Sequence, residues 1–411
     1  MISSVEIKNF RILRDIKQDL GRFNILIGPN STGKSTFLDA IAFVKDVLNN
    51  GPKQAVEIRT SSFYDLLWDD NDPVMKICLE LDLPQNIKNH YRGKSAKSYV
   101  RSRYELEIGI NPNNGELQIL HENLFLLDKQ AIESPIRRRK LQLRKKGSIG
   151  IFQVIGKNTF NGEALYLGEI NNKYSSVFKL GFQKSALANL VEDEKLFPAA
   201  VWTKNKLKEG IQPLTLNSQA MKKPCHPVAG TLFDTDGSNL PIVVQDLAKA
   251  NPKRHQLWIS HLRTALPYLN GISVKNQEWD RFLYLNLVDT NKRAFPSWVL
   301  SDGTLRLLAL TVLAYLPDNA NIYLIEEPEN GVHPRAIEAI YQSLTSVYKG
   351  QVLVTTHSPV LLSISKPNEV LCFSRKTDGE AQILRGDQHP SLKYWKGNPN
   401  LGVVFASGVL E

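Results

Sequence analysis

Gly28-Pro29-Asn30-Ser31-Thr32-Gly33-Lys34-Ser35 follows the apolar run Phe23-Asn24-Ile25-Leu26-Ile27 and precedes a segment, Thr36 to Leu48, in which Phe37, Leu38, Ile41, Ala42, Val44 and Leu48 recur at helical spacing. Asn49-Asn50-Gly51-Pro52 supplies the helix stop. Strand, glycine-rich turn and helix in that order make a phosphate-binding loop. The glycines let the backbone curl so that its N–H groups face anionic oxygens, and the start of the helix adds its positive end. Asn30, Ser31, Thr32, Gly33, Lys34, Ser35 and Thr36 are therefore the expected nucleotide-binding residues, with Lys34 reaching the β- and γ-phosphates and Ser35 placed to ligate Mg²⁺. A plain helix-entry turn would account for the glycines but would leave the Lys-Ser pair at this spacing unexplained.

Three weaker signals lie far downstream in a fixed order. Leu300-Ser301-Asp302-Gly303-Thr304 opens a helix expected from Gly303 to Tyr315, and a Ser hydroxyl, a glycine and helix-start amides make a second anion-binding tip at Ser301, Asp302 and Gly303. The apolar strand Ile322-Tyr323-Leu324-Ile325 then ends in Glu326 and Glu327. Buried strands deliver side chains to their C-terminal edge, where open α/β sheets bind ligands, so Glu326 is expected in the Mg²⁺ shell and Glu327 as the residue that polarises the attacking water. Finally, His357 follows the strand Val352-Leu353-Val354-Thr355-Thr356, where it can hydrogen-bond a γ-phosphate. Taken singly, these are a helix cap, two solvated acids and a histidine at a strand end; order and spacing give them weight.

The 411 residues are 42% hydrophobic and 22% charged, which excludes a disordered chain and is ample for two or three folded units. No apolar run approaches the roughly 18–20 residues that cross a bilayer, and Met1 to Glu6 lacks the basic and apolar regions of a signal peptide, so a cytoplasmic protein with no membrane partner is expected. Cys78, Cys225 and Cys372 form no CxxC pair and read as buried free thiols. The surplus of 51 Lys+Arg over 41 Asp+Glu is compatible with nucleic acid. Its densest runs are Arg137, Arg138, Arg139 and Lys140 with Arg144, Lys145 and Lys146, and a looser one of Lys88, Arg92, Lys94, Lys97, Arg101 and Arg103. Either could contact a phosphate backbone in a salt-dependent, sequence-independent way, or form a solvated loop.

Along the chain, 1–73 reads as the N-terminal part of an ATPase core, 74–235 as a strand-rich, irregular insertion, 236–375 as a helical lobe with the C-terminal part of the core, and 376–411 as a tail. Expected strands are Val5–Lys8, Phe23–Ile27, Val74–Leu79, Tyr104–Ile108, Leu117–Leu120, Ile151–Val154 and Ala164–Leu167, with a hairpin turn at Asn113-Asn114-Gly115 and another at Asn161-Gly162. Between 185 and 235, Pro198, Pro213, Pro224 and Pro227 are expected to break any long element, and 240–270 to be helical. The end reads as helix Pro334–Tyr348 and strands Val352–Thr355, Val370–Phe373 and Ala381–Leu384, and the apolar tail is expected to pack on the sheet or to dock a partner. The fold class is therefore α/β, a sheet flanked by helices and interrupted by the strand-rich and partly helical insertion; that it is a P-loop NTPase of the ABC-ATPase type is what the resemblance of its motifs implies.

Phosphate loop, Ser-x-Gly turn, strand with tandem acids and strand with histidine together resemble the ABC-type ATPases of the SMC/RecF/OLD group. Ile325-Glu326-Glu327-Pro328-Glu329-Asn330-Gly331-Val332-His333-Pro334 and Thr355-Thr356-His357-Ser358-Pro359 are similar to the AAA-family ATPases of bacterial defence loci, and Ile7-Lys8-Asn9-Phe10-Arg11 to that group's first strand. The resemblance covers roughly 1–60 and 235–375. It implies ATP and Mg²⁺ as cofactors and a homodimer or higher assembly, in which ATP on the Lys34 loop of one subunit is capped by Ser301 and Gly303 of the other. It also implies a switch that acts on DNA and controls a separately encoded effector such as a nuclease, in anti-phage defence. Alternative readings keep the fold but assign DNA repair or recombination, a transporter's nucleotide-binding subunit, or a non-catalytic ATP-gated scaffold. Glu326 stands where the wider group has Asp. The fifty or so residues after His357 are too few for the nuclease domain of OLD proteins.

Overall fold

The computed structural model describes residues 1–91, 98–111, 114–133, 150–157, 162–170, 174–228, 230, 232–317, 321–393 and 400–410. The chain divides into two compact units, one of Met1–Leu20, Ser31–Ile211 and Arg375–Ile383, the other of Gly21–Asn30, Gln212–Ser374 and Leu384–Glu411. Of the two basic clusters, 137–146 lies entirely outside the described residues, as do Arg92, Lys94 and Lys97 of the looser run.

The first unit is built on an antiparallel sheet. Its strands are β1 (Ile2–Phe10), β2 (Leu13–Asp19), β4 (Val74–Asp82), β5 (Tyr99–Ile110), β6 (Leu117–Asp128), β7 (Ile151–Lys157), β8 (Glu163–Leu167) and β9 (Ser175–Lys179), in the order β2-β1-β4-β5-β6-β7-β8-β9. The strand-rich stretch therefore continues the sheet that the N-terminus begins. β2 is a strand the sequence analysis missed, because Leu13-Arg14-Asp15-Ile16-Lys17-Gln18-Asp19 places only two apolar side chains among five polar ones. Asn9 fixes the β1–β2 turn: its Nδ2 donates to the carbonyls of Asp69, Asp72 and Val74 at 3.1, 2.8 and 2.9 Å, and its Oδ1 accepts from the Trp68 and Asp69 amides.

One face of this sheet carries an ion-pair ladder rather than apolar side chains. The Arg103 guanidinium reaches Glu6 at 2.6 Å, Glu80 at 3.0 Å and Glu105 at 2.6 Å. Burial pushes the Glu6 carboxyl up, but Arg103 and Lys17 outweigh it and lower the pKa to about 2. Fully hydrogen-bonded charges can be buried without a net penalty; a half-satisfied set could not. Further along, Pro198 does not break an element but starts one, the helix Pro198–Lys208, because a proline at the first helical position lacks only an N–H that would have no partner there. Glu169 caps that helix, accepting from the Ala199 and Ala200 amides at 2.9 and 2.8 Å and from the Tyr91 hydroxyl.

The second unit holds a parallel sheet in which β10 (Ile211–Leu214), β14 (Ile322–Glu326), β15 (Gln351–Thr355), β3 (Phe23–Ile27) and β16 (Val370–Arg375) lie side by side in that order. The pairs β14–β15, β15–β3 and β3–β16 are parallel. Parallel strands are buried on both faces, which is why these segments read as unbroken apolar runs. On one face, Tyr323, Ile325, Val352 and Val354 pack with the helices Leu240–Ala250, Pro252–Ala265, Asp302–Val312 and Pro334–Thr345. Each fully buried Leu, Ile or Val contributes about 1.5–3 kcal/mol. At the centre Trp258 donates its indole N–H to Thr311 Oγ1 at 2.9 Å, so its one polar atom is satisfied.

A small antiparallel sheet, β11 (Leu269–Asn276), β12 (Leu283–Asp289) and β13 (Ala294–Pro296), was not expected in this lobe; it adds Ile272, Leu285 and Leu287 to the same core. On the other face, the C-terminal residues Leu392, Leu401, Val404 and Leu410 pack with Ile25, Ile27, Leu361 and Leu362. The apolar tail thus covers the parallel sheet. Gly402 permits this, since a Cβ there would stand 2.2 Å from the Pro359 carbonyl oxygen. All three cysteines are buried free thiols, and among the described residues no helix is long and apolar enough to cross a membrane.

Candidate nucleotide site

Register aligns the chemistry. Glu326 of β14 pairs with Thr355 of β15, and Thr355 pairs with Leu26 of β3, so the tandem acids, the His357 turn and the start of the glycine-rich loop all leave the sheet at the C-terminal ends of three adjacent parallel strands. That edge is where open α/β sheets hold ligands.

The loop takes its shape from left-handed residues. Gly28 has φ 140°, and a Cβ on it would lie 2.1 Å from the Phe373 carbonyl oxygen, so only glycine lets the chain leave β3 beside β16. Ser31 (φ 62°) and Gly33 (φ 101°) turn the backbone twice more, as in the amide nests that bind anions. Gly33 then caps the helix Lys34–Asn50, whose amide ladder begins with Phe37 N–H to Gly33 C=O at 2.8 Å. The first turn of this helix contains no acid of its own to offset the positive end that favours an anion. Thr32 and Lys34 are buried.

Beyond β14 the acids are held in different ways. Glu326 ends the strand exposed. Glu327 adopts φ 45°, a left-handed conformation that a non-glycine residue takes only at a cost, and its N–H donates to the Thr355 carbonyl at 2.9 Å. Its carboxylate is aimed by Asn330, whose Nδ2 donates to Glu327 Oε2 at 3.0 Å while the Asn330 N–H donates to the Glu327 carbonyl at 3.0 Å. Glu329 turns the other way, its Oε1 accepting from Thr356 Oγ1 at 2.6 Å and from the His357 N–H at 3.1 Å. Thr356 also donates its N–H to the Leu26 carbonyl at 3.2 Å, tying the His357 turn to β3. His357 itself is half-buried.

Ser301 caps the helix Asp302–Val312, its Oγ accepting from the Thr304 N–H at 3.1 Å. Ser301 and Asp302 are exposed, and Asp302 pairs with Lys222 Nζ at 2.7 Å. Gly303 is pressed against the loop that follows the acids, where a Cβ would lie 2.4 Å from the Gly331 carbonyl oxygen. The structure therefore brings the acids, the His357 turn and the Ser301 turn to one end of the second unit. Asn330 and Glu329 have no motif of their own in the sequence. The only sign of them was the polar wording after Pro328.

Residues 1–362 match the AAA ATPase domain family. The chain is 23% identical over 375 residues to the endonuclease GajA of Bacillus cereus (strain VD045), covering 88% of this chain and 56% of that protein. It is 21% identical to an ATP/GTP phosphatase of Helicobacter pylori (strain ATCC 700392 / 26695), covering 97% and 98% of the two chains. Among solved structures it is similar to an Smc head bound to the C-winged helix domain of ScpA, with a TM-score of 0.53, 12% identity and coverage of 93% and 97%. A second is the Smc head with an extended coiled coil, bound to the C-terminal domain of ScpA from Pyrococcus furiosus, with a TM-score of 0.52, 11% identity and coverage of 93% and 95%. These likenesses show an SMC-head type of P-loop α/β fold, and the match over 1–362 shows the family: the chain belongs to the AAA ATPase domain family.

Proposed function

We propose that the protein binds and hydrolyses ATP as a dimeric switch, with Lys34 and the amides of Asn30 to Thr36 on the phosphates and Glu327 as the base that polarises water. The observation that carries this reading is Glu327 itself. It is held in a strained backbone at the C-terminal edge of the parallel sheet, and its carboxylate is oriented by Asn330. Backbone strain of this kind persists where surrounding contacts over-determine it, and it clusters at reacting centres.

Mg²⁺ fits the donors offered. Among the described residues no cluster of three or more His, Cys, Asp or Glu holds a metal unaided, whereas a nucleotide-borne Mg²⁺ takes one or two protein oxygens and completes its shell with phosphate and water. Ser35 and Glu326 supply hard oxygens of that type. When bound, the ion neutralises charge that develops on the phosphates. The chain's own residues do the rest: the loop positions the triphosphate, Glu327 takes the proton of water, and His357 donates to the γ-phosphate.

Ser301, Asp302 and Gly303 complete the site in a second copy of the chain, so that ATP closes the dimer and hydrolysis releases it. Exposure of Ser301 and Asp302 supports this part. The resemblance of the 325–334 and 355–359 wording supports a role in anti-phage defence, in the cytoplasm and triggered by DNA on the basic 137–146 segment, and likeness to GajA, named an endonuclease, supports a nuclease as the effector. The test is Mg²⁺-dependent ATP hydrolysis with and without double-stranded DNA, at low and high salt, beside Lys34→Ala. Hydrolysis that is lost in the variant and stimulated by DNA at low salt supports the reading; turnover indifferent to DNA removes DNA from it, and turnover in Lys34→Ala sinks the site.

A further inference from the structure

We infer that Glu329 is a positioning residue that makes the acidic loop and the His357 turn one rigid body, so that the group reading the γ-phosphate and the group activating water cannot move apart. The inference rests on the proposed hydrolytic role of the Glu327 and His357 side chains; the Glu329 carboxylate bonds the backbone N–H of His357 and neither of those side chains.

The connections form a two-way stitch across β14 and β15. From the acid side, the Glu327 N–H donates to the carbonyl of Thr355, the last residue of β15. From the same loop the Glu329 carboxylate reaches past it, one oxygen accepting both Thr356 Oγ1 (2.6 Å) and the His357 N–H (3.1 Å). The hydroxyl is a relay, because Thr356 Oγ1 accepts from the Ser358 N–H at 3.0 Å while it donates to Glu329. One carboxylate oxygen thus fixes, directly or through Thr356, the backbone on both sides of His357. Ser358 in turn caps the helix Pro359–Ser363, its Oγ accepting from the Leu361 N–H.

The second carboxylate oxygen, Oε2, is buried and has no hydrogen-bond partner among the described residues. Stability alone is a poor reason for that arrangement. A buried acceptor without a partner costs free energy that a smaller or apolar side chain would not incur, so the carboxylate is better explained by what its other oxygen holds. Thr356 is fully buried and keeps its hydroxyl for the same bond. Slackening the stitch lets the His357 turn move relative to the acidic loop without removing either side chain. A misplacement of about 1 Å is enough to cost about 100-fold in rate.

The experiment compares Glu329→Ala, Glu329→Gln, Thr356→Val, His357→Ala and the double variant Glu329→Ala/His357→Ala, with kcat, KM and ADP affinity measured for each, and thermal unfolding to show that each is folded. Gln keeps a carbonyl oxygen where Oε1 accepts, so Glu329→Gln should hold kcat within about 3-fold of the parent. Glu329→Ala should lose about 10–100-fold in kcat with KM and ADP affinity within about 2-fold. In the double variant the two losses should fail to multiply, because once His357 is gone there is no side chain left to position. Thr356→Val reports the same stitch from the other end and should lose kcat even where the Glu329→Ala chain does not fold. Multiplying losses, or Glu329→Gln as impaired as Glu329→Ala, would overturn the inference. If instead His357→Ala leaves kcat unchanged, it is the proposed role of His357 that fails.

Discussion

Replacing Glu327 by Ala and by Gly, and making the same pair of changes at Glu326, separates backbone strain from side-chain loss. Both substitutions at 327 remove the carboxylate and the Asn330 Nδ2 contact at 3.0 Å; they differ only in how the new residue tolerates φ 45°. An L-residue in the left-handed region pays about 1–2 kcal/mol that glycine does not. Glycine loses roughly 0.5–1 kcal/mol more than alanine in conformational entropy on folding. At 327 the first effect wins, and Gly should be the more stable variant by about 0.5–1 kcal/mol. Glu326 is exposed at the end of a strand with no such strain, and there Ala should be the more stable by about 0.5–1 kcal/mol. Subtracting the two Ala-to-Gly differences cancels the entropy term and leaves about 1–2 kcal/mol of strain. Urea unfolding followed by tryptophan fluorescence, without nucleotide, reads this as opposite shifts of the midpoint at adjacent positions. Shifts of the same sign and size at 326 and 327 would refute the claim that the fold stores strain at the proposed base.

Other expectations follow from the same contacts. Burial pushes Glu169 up to about 7, against the lowering effect of its Tyr91, Ala199 and Ala200 donors. Because the folded value is raised, its contribution to stability is complete below the ordinary carboxylate value and is lost as pH rises through about 7, a change of up to about 3 kcal/mol. Glu169→Gln should therefore flatten the fall in unfolding temperature between about pH 4.5 and 7; parallel curves would count against the assignment. Asn330→Ala should lower kcat about 10-fold with nucleotide affinity unchanged, since it frees the carboxylate of Glu327 without touching the phosphate loop; an equal loss in ADP affinity would point to general damage. Gly303→Ala places a Cβ 2.4 Å from the Gly331 carbonyl oxygen, so it should shift the Ser301 turn and abolish ATP-dependent association while ADP binding by the single chain persists.

The parts of this architecture that were legible in the sequence are those where one segment carries its own reason. Phe23–Ile27, Ile322–Ile325 and Val352–Thr355 are buried on both faces, and each is followed by residues whose chemistry makes sense only at a strand end. Elsewhere a single local signal was read with the wrong partner in mind. Pro198 looked like a breaker because the acid that caps its helix, Glu169, lies 29 positions earlier. β2 hid in a polar segment because only Leu13, Ile16 and Gln18 are buried, a spacing that makes no period-2 apolar pattern. β11 to β13 fall mostly in 271–296, where no element was read, because their apolar positions are completed by helices elsewhere in the chain. Glu329 was invisible as anything but a third acid, since its partners stand 27 and 28 residues away and no periodicity joins them.

The most direct test of the switch is the mass of the Glu327→Gln variant in solution, with and without Mg²⁺-ATP. Gln at 327 keeps the side chain's shape and removes its basicity, so ATP should bind and persist. The variant should then run as one chain without nucleotide and as two with it, and Lys34→Ala or Ser301→Ala in the same background should return it to one. A Glu327→Gln chain that binds ATP and stays single would contradict the account, because the site would then be complete within one copy.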